Sequence, residues 1–307
     1  MRRAVLLLTF LAALCAVAPA AQAKKPKPLV GIGEQSPYLF SDQRWRDLDR
    51  PYVRYVMPWD ALNRYFSRTQ VDIWMTEAEA RHAKVLLSFG HSTRKHRELK
   101  LPTKRQYRKA VKDVRKRYPF VNTFQAWNEA NHGSQPTYRK PEAAGRLYDV
   151  LVNNCKHCTI TAPSVLLASD MKAVSWIKRF DRAAKKRVKI WAVHNHIDAN
   201  RNTKTGTKLF LKYTRGQVWF TETGGIWNRW IGKRKIKKYT HKTAVRAIRN
   251  IFKLQRLAPR RVKRIYIYSW FGLSQKRPRW DSGLINANGT PRPTLRTLKA
   301  QIRKYAR

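Results

Sequence analysis

Two glutamates stand out for their settings: Glu129 in VNTFQAWNEANH and Glu222 in GQVWFTETGG. Each follows a short apolar run and opens a polar, aromatic loop. They are too far apart in sequence to be neighbours on one helix. If the two runs are parallel strands of one sheet, both carboxyl groups emerge at the same end. Two carboxyls a few ångströms apart are the minimum machinery for cleaving a glycosidic bond, one protonating the leaving oxygen and the other attacking or activating water. Similar runs end in other groups able to bind or polarise a substrate. Glu34 and Gln35 follow LVGIG, Arg54 lies in VRYVMPW, His91 follows KVLLSFG, His194 and His196 close KIWAVHNH, and Trp270 closes IYIYSW.

The elements that must position these groups are legible as alternating patterns. Strands are predicted at Leu29 to Gly33, Tyr52 to Met57, Lys84 to Phe89 and Thr123 to Trp127. Four more are predicted at Thr159 to Pro163, Lys189 to His194, Gln217 to Thr221 and Arg264 to Trp270. All are rich in β-branched and aromatic residues, and several are apolar on both faces, as buried parallel strands are. Amphipathic helical patterns fill the gaps. Thr103 and Gln106 form a capping-box signal ahead of Tyr107, Ala110, Val111 and Val114, and that helix should stop at Tyr118-Pro119. Pro141 suits a first helical position, with Ala144, Leu147, Tyr148 and Leu151 inward. Further faces run through Val174, Ile177 and Phe180, then Ala244, Ile248, Ile251 and Leu254, and finally Leu295, Leu298 and Ile302. Between the sixth and seventh strands only a short helix, Lys208 to Tyr213, is expected. Eight strands alternating with helices predict an α/β protein, a single-domain (β/α)₈ TIM barrel, whose chemistry sits at the strand ends. An open doubly wound sheet is the alternative, but GIGEQSP lacks the third glycine of a dinucleotide turn.

Taken together, these strand-end residues resemble those of clan A glycoside hydrolases, the retaining β-glycosidase barrels that include families 5 and 39. The resemblance covers nearly all of residues 24–307. It implies that Asn128-Glu129 is the pair ending the fourth strand, with Glu129 as acid/base and Asn128 on the sugar 2-hydroxyl. Glu222 then matches the nucleophile on the seventh strand, Arg54 the second-strand arginine, and Trp270 the eighth-strand tryptophan. His194-Asn195-His196 keeps the first position of a His-x-Tyr pattern and changes the second. The closing RWDSGLINANGTPRPTL is similar to the clan's approach to its last helix. On this basis the chain is expected to be a retaining glycosidase acting on an oligo- or polysaccharide without metal or cofactor. Glu129 would be held protonated by the charge of Glu222, and Arg54 would keep Glu222 ionised. His91, His194, His196, Trp227, Trp270 and Glu34 are the remaining expected substrate contacts.

Composition adds constraints. Residues 1–23 read as an export signal: a basic start, an apolar stretch and Ala21-Gln22-Ala23. A secreted or extracellular protein, residues 24–307, is expected, with no later membrane span. Export favours a local disulfide between Cys155 and Cys158 over a zinc site, which would need four ligands. The chain carries 66 Lys and Arg against 18 Asp and Glu, a formal net charge of +48. Such a balance suits an acidic polysaccharide or an anionic cell envelope; no nucleic-acid-binding motif accompanies it. Basic runs lie in catalytic-face loops (STRKHRELKLPTKR, NRWIGKRKIKK, SQKRPRW) and also on the opposite rim. A monomer is expected. The rival reading is a cationic, non-catalytic carbohydrate- or wall-binding barrel.

Overall fold

The structure is a computed structural model that describes residues 26–168 and 171–306. The expected export signal lies outside the described residues. Parallel strands follow one another around a barrel: Leu29–Gly33, Tyr52–Pro58, Lys84–Gly90 and Thr123–Gln125 hold positions one to four. Ile190–His194, Gln217–Thr223 and Val262–Tyr268 hold positions six to eight. The first strand pairs with the last, Leu29 beside Arg264 and Gly33 beside Tyr268. The TIM-barrel expectation is met.

Position five is divided. Thr159–Thr161 pairs with strand four, whereas Ser164–Leu166, which the sequence did not reveal, pairs with strand six. Pro163 stands between the halves and has no N–H to give to a ladder. Backbone bonds from Ala162 N to Ile190 O and from Ser164 N to Trp127 O, both 2.8 Å, carry the pairing across the break.

The helices cover the outside. Lys104–Arg117 begins at the predicted box, with the Thr103 hydroxyl accepting from Gln106 N and the Gln106 side chain returning to Thr103 N. Pro141–Asn154, Lys172–Ala183, His241–Gln255 and Pro293–Tyr305 bury the faces expected of them. Tyr65–Ala80 follows the second strand and buries Val71, Trp74 and Met75. Between strands six and seven lie two helices rather than one, His196–Arg201 and Thr205–Tyr213. The buried Asp198 carboxylate joins them by accepting from the Thr203 hydroxyl (2.7 Å) and Thr207 N (2.6 Å). A small hairpin, Trp230–Ile231 with Arg234–Lys235, was also not foreseen.

Most of the apolar core lies between strands and helices, in aromatic chains such as Phe89–Tyr107 and Phe180–Trp191–Phe210. Each such buried side chain contributes about 1.5–3 kcal/mol by leaving water. A separate cluster of Leu86, Trp219 and Tyr266, one residue from each of strands three, seven and eight, fills the ring. The Arg264 guanidinium stacks 4.0 Å from the Trp219 centroid. Cys155 and Cys158 form a disulfide just after Pro141–Asn154. Among the described residues no helix is long and apolar enough to cross a membrane.

Candidate active site

Arg54, projecting into the ring from strand two, is 1% exposed and organises the centre. Its Nη1 donates to Glu222 Oε2 at 2.8 Å and its Nη2 to Asn128 Oδ1 at 2.6 Å. Its Nη2 also lies 3.5 Å from His194 Nε2. A buried arginine is tolerable only when paired in this way, because an unpaired buried ion costs several kcal/mol. His194 is fully buried, and its Nδ1 lies 3.1 Å from Glu129 Oε1. The same atom is 4.0 Å from Glu222 Oε2. Strands two, four, six and seven thus converge on two carboxylates. Those carboxylate oxygens can stand no more than about 7 Å apart, the sum of their distances to His194 Nδ1.

The loop after strand four is held from several sides. Asn128 N donates to Phe89 O at 2.7 Å, Glu129 N to the Ser164 hydroxyl at 2.8 Å, and Ala130 N to Ser164 O at 2.8 Å. Trp127 Nε1 donates to Gln135 Oε1 at 3.0 Å. These anchors hold Glu129 at φ +43°, in the left-handed region that non-glycine residues rarely occupy. Ser164 belongs to the second half of strand five, so the division of that strand serves the site. Beyond Glu222, Gly224 and Gly225 pass so close to Tyr268 O and Ala244 O that any Cβ would collide with them.

The electrostatics follow from these contacts. Burial pushes the Glu222 carboxyl up, but His194, the hydrogen bond from His196 and the Arg54 charge together hold it well below the ordinary carboxylate range. Burial lowers the His194 imidazole against the pull of the two glutamates. With Arg54 donating towards Nε2, the proton belongs on Nδ1, directed at Glu129. For Glu129, burial is again the largest influence and raises the carboxyl, but the His194 hydrogen bond and charge outweigh it. The Glu222 charge also raises it, as the sequence led one to expect, yet the net direction is downward. The expected elevation of the acid is therefore not met, because His194 was not anticipated as its partner.

A cleft of about 490 Å³ opens above the pair, lined by Asn128, Glu129, Glu222, His91, Gln35 and Tyr268 among others. His91 turns its Nδ1 to Ser92 O at 2.8 Å. His196 is almost buried, with Nε2 3.4 Å from Glu222 Oε1 and its ring edge-on to Trp280 at 4.9 Å. Three expected contacts are corrected. Trp270 is fully buried, its Nε1 donating to Asp42 Oδ2 at 3.0 Å, and it offers no face to the cleft. Trp227 lies apart from the cleft, 5.8 Å from the His241 ring and under the Arg292 guanidinium. Glu34 is buried beneath the rim and accepts from the backbone N–H groups of Gln35, Ser36, Trp270 and Phe271. That carboxylate ties the ends of strands one and eight together and is unavailable to a sugar.

Tyr268, two residues before Trp270, is the eighth-strand aromatic that lines the cleft. Burial, then the Glu222 and Glu34 charges, push its hydroxyl above the ordinary tyrosine value, leaving it a neutral donor. Strand alternation puts Tyr268 and Trp270 on the same face, so only the point where the strand ends distinguishes them. Phe66 and Gln70, from the start of Tyr65–Ala80, also line the cleft without a motif to announce them. Ligand atoms of His194, His196 and Glu222 lie within 4.8 Å of one another, close enough to share a metal. Arg54 already serves as the cation of that carboxylate, and a metal would have to displace or repel it.

The family model for the glycosyl hydrolase catalytic core matches residues 100–297, well over half of the chain and including both glutamates. No curated protein is significantly similar in sequence. Among solved structures, the chain is similar to a psychrophilic glycoside hydrolase family 10 endo-β-1,4-xylanase (TM-score 0.64, 10% identity, 89% of this chain and 96% of that one). It is likewise similar to a family 39 glycoside hydrolase from Bacteroides cellulosilyticus WH2 (TM-score 0.60, 14% identity, 89% and 63%). A third is a GH5_18 enzyme from Bifidobacterium longum subsp. infantis (TM-score 0.60, 13% identity, 92% and 80%). At these identities the likeness is one of fold.

Proposed function

The chain belongs to the glycosyl hydrolase catalytic core family and is a glycosidase, and from that premise we propose that it is an exported, retaining β-glycosidase with Glu129 as acid/base and Glu222 as nucleophile. The observation that carries this reading is the shared set of contacts. Arg54 binds Glu222 and Asn128, and His194 reaches towards both carboxylates. A separation of no more than about 7 Å takes in the about 5–5.5 Å of a retaining pair and leaves out most of the about 6.5–9.5 Å of an inverting one.

Each residue then has a task set by its contacts. Arg54 holds Glu222 Oε2, so Oε1, with only the longer contact to His196, is freer to attack the anomeric carbon. As the carbon–oxygen bond to the leaving group breaks, Glu129 gives that oxygen its proton. The Glu222 charge disappears into the ester, and Glu129, now a carboxylate, takes a proton from the water that attacks the same carbon, breaking the ester bond and returning Glu222 as a carboxylate. Because Asn128 Oδ1 accepts from Arg54, its amide N–H₂ faces the cleft and can donate to the sugar 2-hydroxyl. A donor that tightens on developing charge lowers the barrier rather than merely binding substrate. Tyr268 supplies the aromatic surface that Trp270 was expected to provide. Hydrolysis of a glycan panel with ¹H NMR of the first-formed product anomer is the test. Retention, lost in Glu222→Gln, supports the reading, and an inverted product overturns it. Amino-terminal sequencing of secreted protein, beginning at Lys24, tests export.

A further inference from the structure

We propose that the loops following strands seven and eight form a second binding site, an arm that holds the carboxylate or phosphate groups of an anionic glycan beside the catalytic cleft. This proposal stands independently of the residue roles given above. The first loop carries Arg229, Lys233, Arg234, Lys235, Lys237 and Lys238 with no acidic residue between Trp227 and His241. The second adds Lys276, Arg277 and Arg279, and its one carboxylate, Asp281, is taken by Arg292 at 2.8 Å. The two loops are joined: Trp230 N donates to Pro278 O at 2.9 Å, and Asn228 and Asp281 bridge as antiparallel strands. Among the described residues none of these nine cations has a carboxylate partner. Except for Arg229, all are exposed.

High positive charge is general in this chain, so charge alone does not make a site. What singles out the arm is its shape and its rings. Arg229, Trp230, Ile231, Gly232, Arg277 and Arg279 enclose a hollow of about 580 Å³. The Arg277 guanidinium lies 5.5 Å from the Trp230 centroid, and Arg229 lies 5.2 Å from that of Trp280. Aromatic faces beside guanidinium groups suit a sugar ring bearing an acid, one side stacking and the other pairing. The basic loop after strand three has Arg94, Lys95, Arg97 and Lys100, but among the described residues no aromatic ring stacks on these cations. The arm also abuts the chemistry. Trp280 lies between Arg229 and His196, and His196 touches Glu222. The cleft itself has no lysine or arginine among its lining residues. The cleft, without a cation to meet an acidic substituent, and the cationic hollow therefore divide recognition between them.

The experiment measures binding of purified protein to plain, carboxymethylated and phosphorylated dextran, a series with one backbone. Wild type should bind at least one anionic form at least about tenfold more tightly than the plain polymer at low salt, and salt should erase the difference. Preference between the two anionic forms identifies the substituent. Lys233→Gln/Arg234→Gln/Lys235→Gln/Lys237→Gln should lose at least about fivefold of the preference. Arg277→Gln/Arg279→Gln, on the other loop, should also lose part of it if the hairpin variant misfolds. The opposite-rim control, Lys185→Gln/Lys186→Gln/Arg187→Gln/Lys189→Gln, removes the same charge and should lose less than about twofold. Equal losses in the arm and control variants overturn the proposal, as does an absence of preference for anionic dextran. Tighter capture of duplex DNA than of either anionic dextran overturns it in favour of nucleic acid.

Discussion

Positive charge is handled in opposite ways at two places on one rim. In the catalytic centre Arg54 is buried and its guanidinium is shared between two named oxygens, Glu222 Oε2 and Asn128 Oδ1. In the arm nine cations meet no carboxylate among the described residues, most are exposed, and their geometry is set by backbone pairing and tryptophan rings. The first arrangement fixes atoms to fractions of an ångström and cannot lose a member without leaving a buried charge alone. The second leaves its charges free for something the protein itself does not contain. Substitutions in the two places should therefore fail differently.

The largest effect is expected from Glu222→Gln, which keeps the shape and removes the proposed nucleophile. Turnover should fall on the order of 10⁴-fold or more, read as kcat on a glycan substrate. Glu129→Gln should cost about 10²–10⁴-fold on a poor leaving group and much less on an activated aryl glycoside, whose departure needs no proton. Comparing the two leaving groups separates lost acid catalysis from general damage. Arg54→Met leaves Glu222 uncompensated and should cost about 3–5 kcal/mol in denaturant unfolding at neutral pH. The folded-state Glu222 carboxyl is depressed, so the stability it contributes is complete above its unfolded value of about 4.3 and is lost as pH falls towards the folded one. Arg54→Met should flatten that acid dependence.

A pH profile gives a finer test. The proposed mechanism needs Glu129 protonated and Glu222 ionised, and both carboxyls lie below their ordinary values. The kcat/KM of the free enzyme should therefore peak in the acid range and fall towards neutrality. His194→Ala removes the larger of the two groups that hold Glu129 down and leaves burial and the Glu222 charge raising it against the weaker pull of His196. The alkaline limb should then move to higher pH; a limb that stays in place removes His194 from control of the acid. Smallest of all, neutralising Lys233, Arg234, Lys235 and Lys237 should leave unfolding free energy within about 0.5 kcal/mol of wild type, since no ion pair is broken.

The barrel was legible because its signals are local. Val, Ile and aromatic runs mark the strands, Thr103 with Gln106 marks a helix start, and Pro141 marks another. Arg54, Asn128, Glu129, His194 and Glu222 were legible as strand-end residues, and the structure brings all five together. What stayed hidden depends on where a chain bends by one or two residues. Pro163 was read as the end of strand five, yet pairing resumes at Ser164 with the other neighbour. The eighth strand stops at Tyr268, so Trp270 turns into the core and Tyr268 remains at the cleft. Glu34 was ambiguous because nothing in a sequence tells whether a carboxylate will meet a sugar or four backbone N–H groups. His194 as partner of Glu129 also escaped notice, because such a contact joins strands four and six only once the ring has formed.

Glu34 has a bearing on how the molecule is assembled. Its carboxylate accepts from residues 35 and 36 at one end of the chain and from 270 and 271 near the other. Until ribosomal synthesis has passed residue 271, that acid has only half its donors and strand one lacks a neighbour on one side. Closing so long a loop is slow. The barrel therefore cannot close until nearly all of its strands have been made, and an isolated amino-terminal half would carry strand one as an unpaired edge.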